Sequence, residues 1–468
     1  MKPQHPSVRR ISECFLKPDI ECLPQESKQP HYLSHWDLNL LPIQYIQKGL
    51  LFRKPSEAFE DGHPFMATLL HRLKRSLSSA LFHFYPLSGR LASIINEHQA
   101  SILVYVDCVN TPGAKFTHAA LDLTISHLLS PVDVPLVVHS LFDPDLQTAV
   151  NYDGHTLPLL SIQVTELLDG IFIGSSFNHS IGDGTSHWNF FKMWSEIFQS
   201  LPPDGDDIVS ISRPPILKRW FPEGHGPIIN LPFTHSDQFK IRLKAPELRE
   251  RIFHFTKESI AALKAKANAE CGTEEISSFQ AMCALVWRSI TRARRLPQNQ
   301  ITICRMIANN RAKLEVPTPE DYFGNVITAL KVSAKAGEVV EGGLGWAAWK
   351  LHEAVVDNTK EKFREAVEKW FECPFTFQVD QNFVTYSLSM TSSPRFNIYG
   401  NEFGMGKAVA VRSGRANKFD GKVSSYPGYE GGGSVDLEIA LFPHSMANLE
   451  ADSEFMSAVS SPPHLFHE

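Results

Sequence analysis

The sequence predicts an α/β protein of two domains with mixed sheets. Three observations carry this. Strand-like and helix-like segments alternate along both halves of the chain. A proline-rich stretch separates the halves. The 468 residues suffice for two to four domains of ordinary size, roughly 100–200 residues each.

The elements follow in chain order. Met66, Leu69, Leu70, Leu73 and Leu77 recur at helical spacing and predict an amphipathic helix. Pro86 and Gly89 break it. Residues 101–107 and 170–177 read as strands. A helix over about 186–198 buries Trp188, Phe191, Trp194 and Phe198. Pro202, Pro203, Pro214, Pro215, Pro222, Pro227 and Pro232 follow, and proline prevents regular structure. This places a crossover at 201–233 between domains at 1–200 and 234–468. Beyond it, Thr256 and Ser277 are placed to cap helices. A long helical pattern covers 344–371. Gly431–Gly433 reads as a hairpin turn. In 434–442, Val435, Leu437, Ile439 and Leu441 alternate with Asp436, Glu438 and Ala440, the period of a half-buried strand.

Composition narrows the function. Hydrophobic residues are 43% and charged residues 21%, ordinary for a soluble globular protein. The formal net charge of −6 argues against a basic nucleic-acid binder. Seven cysteines, at 14, 22, 108, 271, 283, 304 and 373, are odd in number and scattered without a CxxC. They predict a reduced intracellular protein with neither a disulfide framework nor a metal site. Neither end carries a targeting signal, and no stretch approaches the ~20 apolar residues of a membrane span. The expectation is a cytoplasmic monomer without a membrane partner. No GxGxxG opens a helix, which leaves a dinucleotide fold unsupported. Phenylalanine, at 31, far outnumbers tryptophan, at 8.

One segment carries chemistry. The apolar run Ile171-Phe172-Ile173 delivers His179 into a turn containing Gly182 and Gly184, and a helix starts there. A histidine held on a rigid element suits a general base, since its ordinary pKa of about 6.5 lets it accept a proton at neutral pH. Asp183 lies four residues on, and the glycines make it a brace for the turn rather than half of a dyad. A bare HxxxD also arises by chance in a chain with 20 His.

Its company is more specific. Asn178-His179-Ser180-Ile181-Gly182-Asp183-Gly184 resembles the HxxxD signature of the plant BAHD acyl-CoA-dependent acyltransferases. Phe84-Tyr85-Pro86-Leu87-Ser88-Gly89-Arg90 resembles that family's YPLAGR stretch, and Tyr322-Phe323-Gly324-Asn325 its YFGN. Glu402-Phe403-Gly404-Met405-Gly406-Lys407 resembles its DFGWGKP. Order and spacing match from end to end. The resemblance implies two chloramphenicol-acetyltransferase-like domains joined by a long crossover, with a channel between them. It implies direct acyl transfer from acyl-CoA, a co-substrate rather than a tightly bound cofactor, to a hydroxyl or amine of a small specialised metabolite, with His179 as base. It implies that Arg311 pairs with Asp183. It places Thr256, Lys257 and Ser278 in coenzyme A-binding segments and Tyr45 at the acceptor pocket. A solvated Lys257 and a core Tyr45 are the plain alternatives.

Two departures stand out. The family's TSW segment, whose Thr and Trp help hold the tetrahedral intermediate, reads Thr391-Ser392-Ser393 here. Thr391 keeps its hydroxyl, while Ser393 removes an indole donor and a large ring. In the second motif Met405 replaces Trp, Glu402 replaces Asp and Ala408 replaces Pro. That motif is structural in relatives, so these changes read as repacking. The change at Ser393 keeps open a lyase on the same fold, cleaving an isochorismate-derived amino-acid conjugate in salicylate formation. A non-catalytic binding protein is disfavoured by the intact His179 and Asp183. A peptide-synthetase condensation domain is disfavoured by Asn178, where a second His is usual.

Overall fold

The computed structural model describes the chain except residues 1–6, 19–22, 61–63, 110, 203–210, 241–245, 317–318, 380–383, 385 and 461–468. Cys22, Pro203 and the C-terminal tail lie outside the described residues.

Two six-stranded sheets organise the molecule. In the first, the spatial order is Arg9–Leu16, Ala114–Ala120, Leu160–Glu166, Gly170–Phe177, Ile46–Arg53 and Ala410–Ser413. Only Ala114–Ala120 and Leu160–Glu166 pair in parallel. In the second, the order is Arg249–Phe255, Val435–Leu441, Lys422–Pro427, Ser387–Ser392, Ile301–Asn309 and Ile327–Lys335. There, Ser387–Ser392 runs parallel to both neighbours. Both sheets are therefore mixed. Gly170–Phe177 is buried along its whole length, which explains why it reads as a continuous apolar run rather than an alternation.

Each sheet covers one face with helices. Phe65–His83 and Gly184–Ser200 share the core of the first sheet with Ile171, Ile173 and Phe177. Lys257–Cys271, Ser278–Ala293 and Gly343–Val356 pack on the second, against Val423, Leu437 and Ile439. Thr256 and Ser277 cap their helices through Ser259 N and Gln280 N, as their positions suggest.

Three departures from the sequence reading have physical causes. The helical pattern of 344–371 is two helices, Gly343–Val356 and Lys360–Glu372. Thr359 ends the continuity because its hydroxyl caps Lys362 N and starts a new helix. The crossover is more than a tether. Asn230–Leu231 adds to the small sheet of His31–Tyr32, Ser101–Asp107 and Arg90–Asn96, and Arg219 forms a buried ion pair with Asp37 at 2.7 Å. Finally, the chain beyond the crossover returns to the first sheet. Ala410–Ser413 forms its edge strand against Ile46–Arg53.

Candidate active site

His179 lies two residues beyond the end of Gly170–Phe177, and the strand fixes where it emerges. Asn178, Ser180 and Ile181 around it are sealed at 0% exposure, whereas His179 is half-buried. Its backbone N–H donates to Asn151 Oδ1 at 2.7 Å.

The imidazole is oriented by Asn325. The amide Nδ2 of Asn325 donates to Asp37 Oδ1 at 2.8 Å and to the His179 carbonyl at 2.7 Å. Both partners only accept, so the amide orientation is determined. Its Oδ1 then faces His179 Nδ1 at 3.2 Å. An amide oxygen also only accepts, so Nδ1 carries the proton and Nε2 keeps its lone pair. Arg219 holds Asp37 from the other side and donates to the carbonyls of Ile181, at 2.7 Å, and Phe323. Burial pushes the His179 pKa below the ordinary imidazole value, and the hydrogen bonds and Asp183 only partly oppose this. The ring is neutral at pH 7.

Asp183 points away from His179 chemistry and caps the helix Gly184–Ser200. Its Oδ1 accepts from Thr185 N and Ser186 N, both at 3.1 Å. Arg311 clasps it through two hydrogen bonds, of 2.7 and 2.8 Å. Arg311 also donates to the carbonyls of Tyr322, at 3.1 Å, and Gly324, at 2.8 Å. Burial alone would raise the Asp183 carboxyl, but the Arg311 charge and these donors outweigh it and hold it below its ordinary value. The aspartate is a brace joining the turn, the helix and the Tyr322-Phe323-Gly324-Asn325 segment.

The other sequence candidates are placed less uniformly. Thr391 ends the strand Ser387–Ser392, and its hydroxyl donates to the Val423 carbonyl at 3.0 Å. The next residue, Ser392, has a φ of 65°, which turns the chain sharply. Ser393 Oγ accepts from Arg395 N at 3.2 Å, and its own proton has no acceptor among the described residues. Phe396 in the same turn approaches Gly184, where a Cβ would stand 3.5 Å from its ring. Tyr45 is sealed at 0% exposure against Leu146, Ala149 and Leu157, so it is a core residue rather than an open pocket wall. Lys257 and Ser278 are exposed. They do not gather at one point. Asn268 and Ile276 hydrogen-bond at 3.0 Å, so Ser278 lies beside the far end of the helix that Thr256 caps. The separation is about 18 Å along the axis.

The altered second motif lies away from His179. Phe403 packs against Phe52, Phe191, Trp194 and Phe198, and Met405 joins the same core at 9% exposure. Ser195 exchanges hydrogen bonds with Glu402 at 2.8 Å, about 16 Å down the helix from Gly184. His187 is a fully buried core residue whose pKa burial lowers to about 3. His352 pairs with Glu275 at 3.2 Å, and Glu430 with His254 at 2.9 Å. No cluster of metal-binding side chains occurs among the described residues, nor a helix long and apolar enough to cross a membrane. A cleft of about 1520 Å³ between the Arg9–Leu16 edge and residues 246–250 contains none of the site residues.

A family model described as the Transferase family matches residues 13–456. The chain is 36% identical to an uncharacterized acetyltransferase of Arabidopsis thaliana, over 96% of its own length and 98% of the relative's. It is 30% identical to the BAHD acyltransferase DCR of Arabidopsis thaliana, over 96% and 92% of the two chains. The chain belongs to the BAHD acyltransferase family. It is an acyltransferase that transfers groups other than amino-acyl groups, and members of the family act on small metabolites. Two solved structures share the BAHD protein's fold. Vinorine synthase aligns with a TM-score of 0.71 at 22% identity, over 97% of this chain and 99% of that one. The F. sporotrichioides TRI101 complex with coenzyme A and T-2 aligns at 0.71 and 17% identity, over 92% and 99%.

Sequence reasoning missed Asn325, Asp37 and Arg219. Asn325 stood in a recognised segment without a role. Asp37 and Arg219 gave no local signal.

Proposed function

We propose that this BAHD protein transfers an acyl group from acyl-CoA to a hydroxyl or amine of a small metabolite, with His179 as general base. The observation that carries it is the oriented, neutral, half-buried imidazole: Nδ1 is committed to Asn325, and Nε2 has no partner among the described residues. Nε2 takes the proton from the acceptor as its oxygen or nitrogen attacks the thioester carbonyl. The tetrahedral intermediate collapses with cleavage of the C–S bond, and Nε2–H protonates the departing thiolate. No acyl-enzyme and no resident cofactor enter the balance. Base catalysis of this kind contributes about 10²–10⁴-fold. Thr391 holds its hydroxyl proton on the Val423 carbonyl, whereas the Ser393 proton has no acceptor among the described residues. Coenzyme A in the TRI101 complex supports the choice of donor.

The test is thiol release from a panel of acyl-CoAs with hydroxyl and amine acceptors. His179→Ala should lower turnover by about 10²-fold or more while the fold is retained. Near-wild-type turnover in that variant would falsify the base assignment. Cleavage of an isochorismate-derived conjugate, with no turnover of any acyl-CoA, would replace transfer by a lyase reaction.

A further inference from the structure

The second sheet has one apolar and one polar face. Along Lys422–Pro427, Val423 enters the helix-covered core, while Tyr426 belongs to the core of the first sheet. Lys422, Ser424 and Tyr426 therefore face the first sheet across the domain boundary. Opposite them stand Lys48 on Ile46–Arg53 and its register partner Ser413 on Ala410–Ser413.

The charges on this face do not balance. Its carboxylates are Glu250, Glu438 and Asp436. Asp436 is taken by His254 at 2.7 Å, and Lys418 takes the other two, at 2.8 Å from Glu250 and closer to Glu438. Glu250 also pairs with His139 at 3.1 Å, and Glu438 accepts from Ser413. Lys48 and Lys422 remain, each without a carboxylate at ion-pair distance among the described residues. Lys48 donates to the Tyr426 hydroxyl and lies 4.6 Å from its ring centre. Among the described residues, Lys422 has only the Phe419 ring, at 5.8 Å. Burial, aided by the Lys418 charge and only partly opposed by Glu438, pulls Lys48 down to about 7 and Lys422 down to about 8. Enclosed cations without counter-ions are costly, and an incoming anion relieves that cost.

The surplus lies beside the catalytic histidine. Lys48 pairs in register with Ser175, four residues before His179 on the same strand and turn, and the Ser175 hydroxyl meets His187 Nε2 at 3.3 Å. The Lys422 charge is among those depressing His179. Thr391 pairs in register with Ser424, two residues from Lys422. Lys48 and Lys422 are both half-buried, so the face admits solvent.

We propose that Lys422, with Lys48, binds a substrate carboxylate on the interdomain face beside His179. The substrate is then an acidic acyl group or an acidic acceptor. This rests on the acyl-transfer reading for its place in the reaction, but the anion site stands on its own geometry.

Two measurements test it separately. In the first, succinate is titrated into wild type, His179→Ala and Lys422→Gln while Tm is followed, with dimethyl succinate as the neutral control. Succinate should raise Tm in wild type and His179→Ala, and its apparent affinity should fall about 10-fold in Lys422→Gln. The ester should do nothing. Without ligand, Lys422→Gln should melt at or above wild type, which shows that its fold is intact. No effect of succinate on wild type, or equal effects in Lys422→Gln, overturns the site.

In the second, turnover is compared for succinyl-CoA against acetyl-CoA, and for a hydroxybenzoate acceptor against its methyl ester. The acidic member of one pair should be preferred, and Lys422→Gln should raise its KM about 10-fold while leaving the neutral member within about twofold. That pair identifies which substrate carries the carboxylate. Equal KM for acid and neutral members in both pairs overturns the proposal. Lys422-dependent succinate protection without any acyl transfer would leave the site standing and overturn the transfer reading instead.

Discussion

The brace at Asp183 and the wall at Lys422 are both enclosed and charged, yet they are built in opposite ways. Asp183 has every acceptor position filled, by Arg311, Thr185, Ser186 and Val326. Lys422 has no carboxylate within ion-pair distance among the described residues, and the carboxylates of its face are bound to Lys418 and His254. A satisfied buried charge fixes geometry. An unsatisfied one waits for a ligand. The difference teaches which charged residues of this site are scaffold and which are open to substrate.

Predictions that break this contrast run from large to small. Asp183→Asn leaves Arg311 buried without its counter-ion. It should lower unfolding free energy by about 3–5 kcal/mol in denaturant titration, whereas Lys422→Met should leave it unchanged or raise it. A loss of comparable size at Lys422 would erase the contrast.

Asn325→Ala removes the group that sets the His179 tautomer without touching substrate. We expect kcat to fall about 10-fold with KM nearly constant, and Asn325→Gln to fail to restore it. A change confined to KM would give Asn325 a binding role.

The buried neutral histidines provide a third class. His35 and His187 are each lowered by burial to about 3. Their folded values lie below the unfolded value of about 6.5, so below that pH the unfolded chain binds protons that the folded chain refuses. Stability should therefore fall as pH drops from 6.5 toward 3, by up to about 1.4 kcal/mol per unit for each histidine. His187→Phe should flatten the slope of Tm against pH. An unchanged slope would contradict the assignment.

The smallest effect concerns the departure at Ser393. Ser393→Trp fills the half-buried turn beside Gly184 and should narrow acceptor range with little change in stability. A broader range would show that the ring does not face substrate.

Much of this was legible where the signal is local. His179 and its glycine turn follow from a strand and two glycines, whereas the structural character of Glu402–Lys407 comes from the resemblance. Arg311 was placed on Asp183 by resemblance, and the ion pair is present. What sequence did not show depends on contacts far apart in the chain. Asp37 meets Asn325 from 288 residues away and Arg219 from 182. No periodicity encodes such a meeting. The return of Ala410–Ser413 to the first sheet is of the same kind, and so is the surplus of cations, which exists only once two sheets face each other. Tyr45 shows the converse, since its residue type suits a pocket and its place in the core does not.

The central claim is that His179 is a neutral base with its lone pair on Nε2. Nitrogen-15 NMR of histidine-labelled protein reads this directly. The account predicts a His179 resonance pair with Nδ1 protonated and Nε2 bare at pH 7, titrating below 6.5. An Nε2–H tautomer, or an imidazolium at that pH, would contradict it.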